Sequence, residues 1–150
     1  MTPKIFIKNT FFFIVFFTMF TSCKNVSHND LPNVYVDLNL DLSKPEYYEL
    51  NTFGNYIYIT GGVSGIIVYR DLDGSFRAYE RACPYDYYEC GGRISVVDRD
   101  KGIMEDNVCC GSQYSLTNDG LVIKGPATIP LRQYKVYYYS NSNTLRITSY

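Results

Sequence analysis

The sequence predicts an all-β fold, an antiparallel sandwich or barrel, for most of this chain. From residue 33 onward, apolar and polar residues alternate with a period of two, which turns one face of each strand inward. Short clusters of Asp, Asn, Ser and Gly separate the alternating runs, as is typical of tight turns. No stretch after residue 23 has a sustained helical period. The 16 tyrosines also favour strands, because Tyr suits pleated, half-buried surfaces.

The candidate strands follow one another at short intervals. In the first, which begins after residue 33, Val34, Val36, Leu38 and Leu40 alternate with polar side chains. The others cover residues 55–60, 66–70, 75–80, 93–97, 121–124, 134–139 and 144–148. Predicted turns at 71–74, 98–102, 118–120 and 141–143 separate the runs. This spacing predicts one antiparallel β domain without internal repeats.

The first 22 residues have the pattern of a secretory signal peptide. Lys4 and Lys8 precede an apolar run over residues 11–20. That run is shorter than the roughly 20 apolar residues that a membrane-spanning helix needs. The segment Phe20-Thr21-Ser22-Cys23 that follows resembles the lipobox of bacterial lipoproteins. The resemblance implies cleavage before Cys23 and lipidation of that cysteine.

The predicted organisation is therefore a signal peptide (1–22), a lipid-anchored tether (23–32) and one β domain (33–150). The tether is polar and lacks periodicity. We expect export to the bacterial cell envelope and anchoring there by lipid, at the outer membrane. The membrane, reached through the lipid anchor, is the first expected partner, and an unidentified envelope protein is the second.

Charge and histidine content exclude several classes of function. The formal net charge is -1, and loss of residues 1–22 removes two lysines and no acids. Such a chain lacks the clustered basic surface that nucleic-acid binding needs. The single histidine, His28, lies in the tether, so a multi-histidine zinc site or a Ser-His-Asp triad cannot form within one chain. We predict no catalytic residue.

Four cysteines remain once Cys23 is assigned to the anchor. Cys83 and Cys90 belong to one predicted loop, and Cys109 and Cys110 belong to another. An even number in an exported protein favours disulfides, and three pairings are open. Alternatively, all four thiolates bind zinc or an iron–sulfur cluster, although neither pair has Cys-x-x-Cys spacing. A vicinal disulfide between Cys109 and Cys110 is a further alternative.

The order of motifs around these cysteines resembles the Rieske iron–sulfur family. In that family the first loop reads Cys-x-His, the second reads Cys-x-x-His-Gly-Ser, and a Gly-Pro-Ala turn follows. This chain has Cys83-Pro84-Tyr85, then Cys110-Gly111-Ser112-Gln113-Tyr114, then Gly125-Pro126-Ala127. The match covers nearly all of the β domain. It implies an antiparallel Rieske-like β-sandwich with a small two-loop subdomain.

The resemblance carries over only part of the cluster site. Cys83 keeps the first ligand position, whereas Tyr85, Asn107 and Cys110 stand where His, Cys and His are expected. A Rieske centre needs two thiolates and two imidazoles. The resemblance therefore implies a degenerate site, at which we expect no metal or cofactor. Positions that surround the family's cluster do keep their residue types: Ser112, Tyr114, Gly125 and Pro126.

The resemblance also implies a disulfide pairing. Cys90 and Cys109 approximate the positions of the family's inter-loop disulfide. That pairing would leave Cys83 and Cys110, on facing loops, to form a second disulfide where the cluster would have been.

These expectations favour a non-enzymatic structural or binding role at the envelope. The alternative is an electron-transfer protein that binds a [2Fe–2S] cluster or zinc through Cys83, Cys90, Cys109 and Cys110. A third class, thiol–disulfide exchange, requires a thiol of low pKa. Arg81 and Arg93 supply the positive charge near the first loop that could favour such a thiol.

Overall fold

The computed structural model describes residues 31–149. The signal peptide, the lipidation site Cys23 and His28 lie outside the described residues and remain predictions. Short strands dominate the described part of the chain. The strands are β1 (Asp37–Asp41), β2 (Tyr56–Ile59), β3 (Ile66–Arg70), β4 (Phe76–Glu80), β5 (Ile94–Asp98), β6 (Ile103–Asp106), β7 (Gln113–Ser115), β8 (Val122–Lys124), β9 (Gln133–Tyr139) and β10 (Thr144–Thr148). The helices are the 3-10 helix η1 (Pro45–Asn51) and the one-turn α1 (Tyr87–Cys90).

The strands form two antiparallel sheets. The larger sheet has the order β1-β10-β9-β4-β3-β2, and the smaller has the order β5-β6-β7-β8. All paired strands within residues 31–149 run antiparallel. The predicted all-β antiparallel fold is therefore confirmed. The smaller sheet and its connections form the predicted two-loop subdomain.

The predicted turns lie between neighbouring strands. At the β3–β4 turn, the N–H of Gly74 donates to the carbonyl of Asp71, and Asp73 accepts from the N–H of Ser75. Gly74 has a φ of +89°, which glycine adopts without strain. Strands β6 (four residues) and β7 (three residues), which lie on either side of the second cysteine loop, are not among the strands predicted from the sequence.

Strand β3 separates two hydrophobic cores. Ile66 and Val68 pack into the core on one face of the larger sheet, and Ile67 and Tyr69 pack into the core on the other face. This division follows from the alternation of side chains along a strand. The second core contains residues of both sheets, so it positions the smaller sheet against the larger one.

A buried carboxylate connects β4 to the β2–β3 loop. Glu80 accepts hydrogen bonds from the backbone N–H groups of Val63, Ser64 and Ala82 at 2.7–2.9 Å, and from the hydroxyl of Tyr134 at 2.6 Å. Both carboxylate oxygens are satisfied, which makes this charge tolerable in the core. Burial, followed by the hydrogen bond to Glu80, raises the pKa of Tyr134.

The last two residues of the predicted tether lie against the β domain. The guanidinium of Arg132 donates to the carbonyls of Leu31 and Pro32, both at 2.7 Å, and Leu31 is buried. Contacts with the domain therefore include Leu31 and Pro32 of the predicted tether. Within residues 31–149, no helix has the length and hydropathy that a membrane span requires.

Candidate functional site

Two loops meet at one end of the smaller sheet. The first covers residues 82–93 between β4 and β5, and is closed at its base by a bridge between Ala82 and Arg93. The second covers residues 107–112 between β6 and β7. A disulfide between Cys90 and Cys109 joins the two loops, as the resemblance implies. It connects α1 to the second loop and excludes the vicinal Cys109–Cys110 pairing.

Four side chains of types that bind metal ions lie close together at the junction of the two loops. One thiol and one carboxylate come from each side: Cys83 and Asp86 from the first loop, and Asp106 and Cys110 from the second loop and the end of β6. One sulfur or oxygen atom of each residue lies within 4.8 Å of the corresponding atoms of the other three. Cys83, Asp86 and Asp106 are buried, and Cys110 is partly exposed. We call these four residues the thiol–carboxylate cluster.

The predicted Cys83–Cys110 disulfide is not formed. Both cysteines are free thiols, and their sulfurs lie 3.9 Å apart. A covalent bond needs a separation of about 2.0 Å. The prediction placed the two sulfurs correctly on facing loops, but they remain separate groups beside two carboxylates.

Two carboxylates, and not the side chains of Tyr85 and Asn107, lie beside the free thiols. Tyr85 is 37% exposed and Asn107 is also exposed. Asp86 and Asp106, each one residue away, are buried in the cluster. The assignment of Tyr85 and Asn107 to the family's ligand positions stays a prediction. The overlooked signal is a Cys-x-x-Asp and an Asp-x-x-x-Cys pairing within the cysteine loops.

Asp106 is held by backbone donors. Its Oδ1 accepts from the N–H groups of Val108 and Cys109, at 3.3 and 3.2 Å, and from that of Arg93 at 3.3 Å. Its Oδ2 is left to face Cys110 Sγ at 3.5 Å. Burial opposes ionisation of Asp106, but hydrogen bonds outweigh it and hold the pKa of this carboxyl below its ordinary value.

The pKa of Asp86 is shifted in the opposite direction. Burial and the adjacent Asp106 raise the pKa of the Asp86 carboxyl. The pKa values of the two neighbouring carboxyls are therefore shifted in opposite directions, with ionisation disfavoured at Asp86 and favoured at Asp106. Among the described residues, Asp86 Oδ1 is buried and has no hydrogen-bond partner. Such an atom is rare in a native protein, because burying a polar group without a partner is costly.

Gly92 leaves room for both carboxylates. A Cβ atom at this position would lie 2.1 Å from Asp86 Oδ1, 2.5 Å from Asp106 Oδ2 and 2.9 Å from Cys83 Cβ. These distances are far shorter than van der Waals contact. Only glycine fits there, so the backbone of the first loop forms one wall of the cluster.

The sulfurs contact the predicted surrounding residues. Tyr114 Oη lies 3.4 Å from Cys83 Sγ, and Ser112 Oγ lies 2.9 Å from Cys110 Sγ. Ser112 Oγ accepts from the Cys110 thiol and, at 3.1 Å, from the backbone N–H of Ala127. Ser112 and Tyr114 thus each contact one of the two sulfurs.

The turn that contains Gly125 and Pro126 packs behind Ser112. Gly125 has a φ of +112°, and a Cβ there would lie 2.5 Å from Ser112 Cα. The Gly-Pro-Ala segment therefore approaches the second loop through backbone atoms, which explains the need for glycine.

The state of the thiols removes two of the sequence-based alternatives. Cys90 and Cys109 are consumed by a disulfide, so the four cysteines cannot supply four thiolates together. Burial raises the pKa of the Cys83 thiol and, to a smaller extent, that of Cys110. Thiol–disulfide exchange requires a lowered pKa. Arg81 does not activate these thiols, because its guanidinium donates to the carbonyl of Ile94.

Comparisons with known proteins show the fold. No family model matches this chain, and no curated protein matches it in sequence. Among solved structures, the ferredoxin of carbazole 1,9a-dioxygenase from Nocardioides aromaticivorans IC177 is similar, with 15% identity and a TM-score of 0.50. That match covers 77% of this chain and 97% of the ferredoxin. The quaternary ammonium Rieske monooxygenase CntA is similar with 16% identity and a TM-score of 0.52.

The match to CntA covers 79% of this chain but 31% of the monooxygenase, so this chain corresponds to about one third of that enzyme's length. The chain therefore has a Rieske-like fold. At these identities, the similarity establishes architecture and does not extend to cofactor or activity.

The donor set at the loop junction does not fit a Rieske centre. Such a centre needs two imidazoles on one iron. Residues 31–149 contain no histidine, and two carboxylates lie at the inner positions of the junction. The fold is thus Rieske-like, whereas the chemistry of the site differs from that of the cluster usually associated with it.

Proposed function

We propose that this protein is a membrane-anchored envelope protein whose Rieske-like domain has a non-enzymatic, structural or binding role and holds no Rieske cluster. A lipid on Cys23 would anchor it to the membrane, where it would act beside another envelope protein. The observation that carries this proposal is the donor set of the thiol–carboxylate cluster, which lacks both imidazoles.

Two further observations support a binding role over catalysis. The free thiols have raised pKa values, so neither is prepared to act as a nucleophile. The cluster lies between the disulfide-linked loops and packs against Gly92. Three of its four residues are buried. Burial of three of the four groups limits the access of a substrate to them.

Optical and electron paramagnetic resonance spectra of the full chain, purified without oxygen from its native envelope, test this proposal. We expect neither the visible sulfide-to-iron absorption of a [2Fe–2S] cluster nor its signal in the reduced state. Iron and acid-labile sulfide in equal amounts, with two of each per chain, would overturn the proposal.

That second outcome would support electron transfer, the alternative function. It is favoured by one observation, the fold shared with a structure described as a ferredoxin. A cluster in this protein would need carboxylate ligands from Asp86 and Asp106 beside the thiolates of Cys83 and Cys110.

A further inference from the structure

We propose that the thiol–carboxylate cluster is a mononuclear site for a divalent cation of the zinc class, with Cys83, Asp86, Asp106 and Cys110 as its four ligands. This inference rests on the proposed binding role and names the ligand of that same site. The sequence offers only the Cys-x-x-Asp and Asp-x-x-x-Cys spacings for this site, because Asp86 and Asp106 belong to segments that only the tertiary structure brings together.

The separations between the ligand atoms match one tetrahedral ion. With zinc–sulfur bonds of about 2.3 Å and zinc–oxygen bonds of about 2.0 Å, a tetrahedron has sulfur–sulfur edges of about 3.8 Å and sulfur–oxygen edges of about 3.5 Å. The observed distances are 3.9 Å from Cys83 Sγ to Cys110 Sγ and 3.5 Å from Cys110 Sγ to Asp106 Oδ2. The whole set lies within 4.8 Å, so small side-chain shifts complete the tetrahedron.

The same separations disfavour a binuclear cluster. A [2Fe–2S] core places its two pairs of ligands at opposite ends of a four-atom unit, so ligands on different irons lie farther apart than ligands on one ion. The four atoms here surround a single point. Thiolate ligands also disfavour calcium and magnesium, which prefer oxygen, and favour zinc.

An independent observation at the same point indicates a missing ligand. Asp86 is 8% exposed, and its buried Oδ1 has no hydrogen-bond partner among the described residues. This atom and Asp106 Oδ2 both lie above Gly92, where even a methyl group would collide with them. Two buried carboxylate oxygens held this close to one another repel when both are ionised, and a cation between them removes that repulsion.

The surroundings of the cluster are arranged for anionic ligands. Three backbone N–H groups donate to Asp106 Oδ1, and the N–H of Ser112 donates to Cys110 Sγ at 3.4 Å. The hydroxyls of Ser112 and Tyr114 lie against the two sulfurs. Donors of this kind orient metal ligands and offset the negative charge of two thiolates and two carboxylates on one divalent ion.

The site would be a closed, structural one. All four coordination positions come from protein side chains, as in structural rather than catalytic zinc sites. Cys110 is the only partly exposed member of the cluster and therefore marks the side from which an ion would enter. Metal here would join the two loops at a second point beside the Cys90–Cys109 disulfide.

Titration of the full chain with Co²⁺ and Zn²⁺ tests the inference. The protein would be purified anaerobically, stripped with a chelator, and checked by non-reducing peptide mapping for an intact Cys90–Cys109 disulfide. We expect one Co²⁺ per chain, with the intense visible bands of tetrahedral cobalt and a near-ultraviolet thiolate-to-cobalt band. Zn²⁺ should displace the cobalt and remove both features.

Substitutions identify the ligands. Cys83→Ser and Cys110→Ser should each weaken the thiolate-to-cobalt band, and Asp86→Asn should weaken cobalt affinity by more than about tenfold. Asp86→Asn should leave the stability of the metal-free chain unchanged or raised, because the buried Asp86 Oδ1 has no hydrogen-bond partner to lose among the described residues. If Asp86 had a merely structural role, the variant would lose stability. Glu105→Gln is the matched control: Glu105 precedes Asp106 but accepts from Gln113 Nε2 at 2.7 Å, outside the cluster.

Absence of stoichiometric binding, or a six-coordinate cobalt spectrum without the thiolate band, would overturn the inference. Either result could occur in a protein that also lacks an iron–sulfur cluster, so the proposed function would survive it. An iron–sulfur spectrum in the native protein would instead overturn the proposed function, and the mononuclear site with it.

Discussion

Gly92 is the residue that decides whether two carboxylates and two thiols can occupy the same space. Its missing side chain leaves the volume that Asp86 Oδ1 and Asp106 Oδ2 fill. Glycine is often conserved for a backbone conformation, but Gly92 does not have a positive φ angle. The role of Gly92 is therefore steric. Gly91 differs, because its φ of +70° is a backbone conformation that favours glycine.

Gly92→Ala should therefore abolish metal binding. The added methyl group would lie within 2.5 Å of both carboxylate oxygens and push the two loops apart. Cobalt titration of the full chain measures this effect. Gly91→Ala is the control for backbone strain. A Cβ at this position would contact nothing within 4 Å, but the positive φ of residue 91 is unfavourable for alanine. Retained metal binding in Gly92→Ala, or equal loss in Gly91→Ala, would contradict the steric role.

Tyr134 illustrates a residue that stabilises the fold without serving the cluster. Tyr134→Phe removes the 2.6 Å hydrogen bond to the buried carboxylate of Glu80. We expect the free energy of unfolding to fall by about 1.5–3 kcal/mol, the usual range for a hydrogen bond to a charged group. Urea denaturation measures the change. Tyr138→Phe, which removes an exposed hydrogen bond to Asn143, should change it far less.

At the scale of secondary-structure elements, the smaller sheet supports the two cysteine loops. The start of β5 and the end of β6 bring Arg93 and Asp106 together. Strand β7 places Tyr114 against Cys83 Sγ, and Ser112, just before β7, lies against Cys110 Sγ. The one-turn helix α1 brings Cys90 to the second loop. Sheet register thus determines which residue of each loop points inward.

Loss of the Cys90–Cys109 disulfide should destabilise the domain and weaken the site. The two cysteines are 19 residues apart, and closing a loop of this length contributes about 3 kcal/mol by restricting the unfolded chain. The double variant Cys90→Ser/Cys109→Ser should therefore unfold at lower urea concentration and bind cobalt less tightly. A loss of less than about 1 kcal/mol in the free energy of unfolding would show that the loops are held together mainly by packing.

For the whole molecule, a bound metal and the fold stabilise one another. An ion that binds only the folded chain stabilises it by about 2.7 kcal/mol at a free concentration one hundred times its Kd. Thermal unfolding of the full chain should therefore shift to higher temperature as zinc is added, and EDTA should reverse the shift. The shift should be absent from Asp106→Asn, which loses a ligand; an equal shift in that variant would point to zinc bound elsewhere.

The proposed lipid anchor is also tested on the whole molecule. Cys23→Ser should abolish incorporation of labelled fatty acid and move the protein from the membrane fraction to the soluble fraction of a bacterial envelope preparation. The physical reason is that acyl chains supply the apolar area for membrane binding, about 0.8 kcal/mol for each buried CH₂. Cys110→Ser, in the β domain, is the matched control. Unchanged membrane partitioning of Cys23→Ser would contradict the lipoprotein assignment.

Much of the fold could be predicted from local patterns. Strands β3 and β10 have the predicted bounds, and Gly74 and its neighbours form the predicted turn. Periodicity and turn residues report on the immediate neighbours of each position, which is why they succeed here. The motif around Ser112 and Tyr114 likewise located the loop junction and both of its surrounding hydroxyls.

The composition of the site could not be predicted in this way. By itself, the sequence determined the strand pattern, the two cysteine loops and the absence of histidine from the β domain. Tertiary structure alone decided that Asp86 and Asp106 turn inward while Tyr85 and Asn107 turn outward, and that Cys83 and Cys110 stay unbonded at 3.9 Å. The physical reason is that these orientations depend on contacts between two segments that are well separated in sequence, such as the disulfide between Cys90 and Cys109, 19 residues apart, and local patterns do not report such contacts.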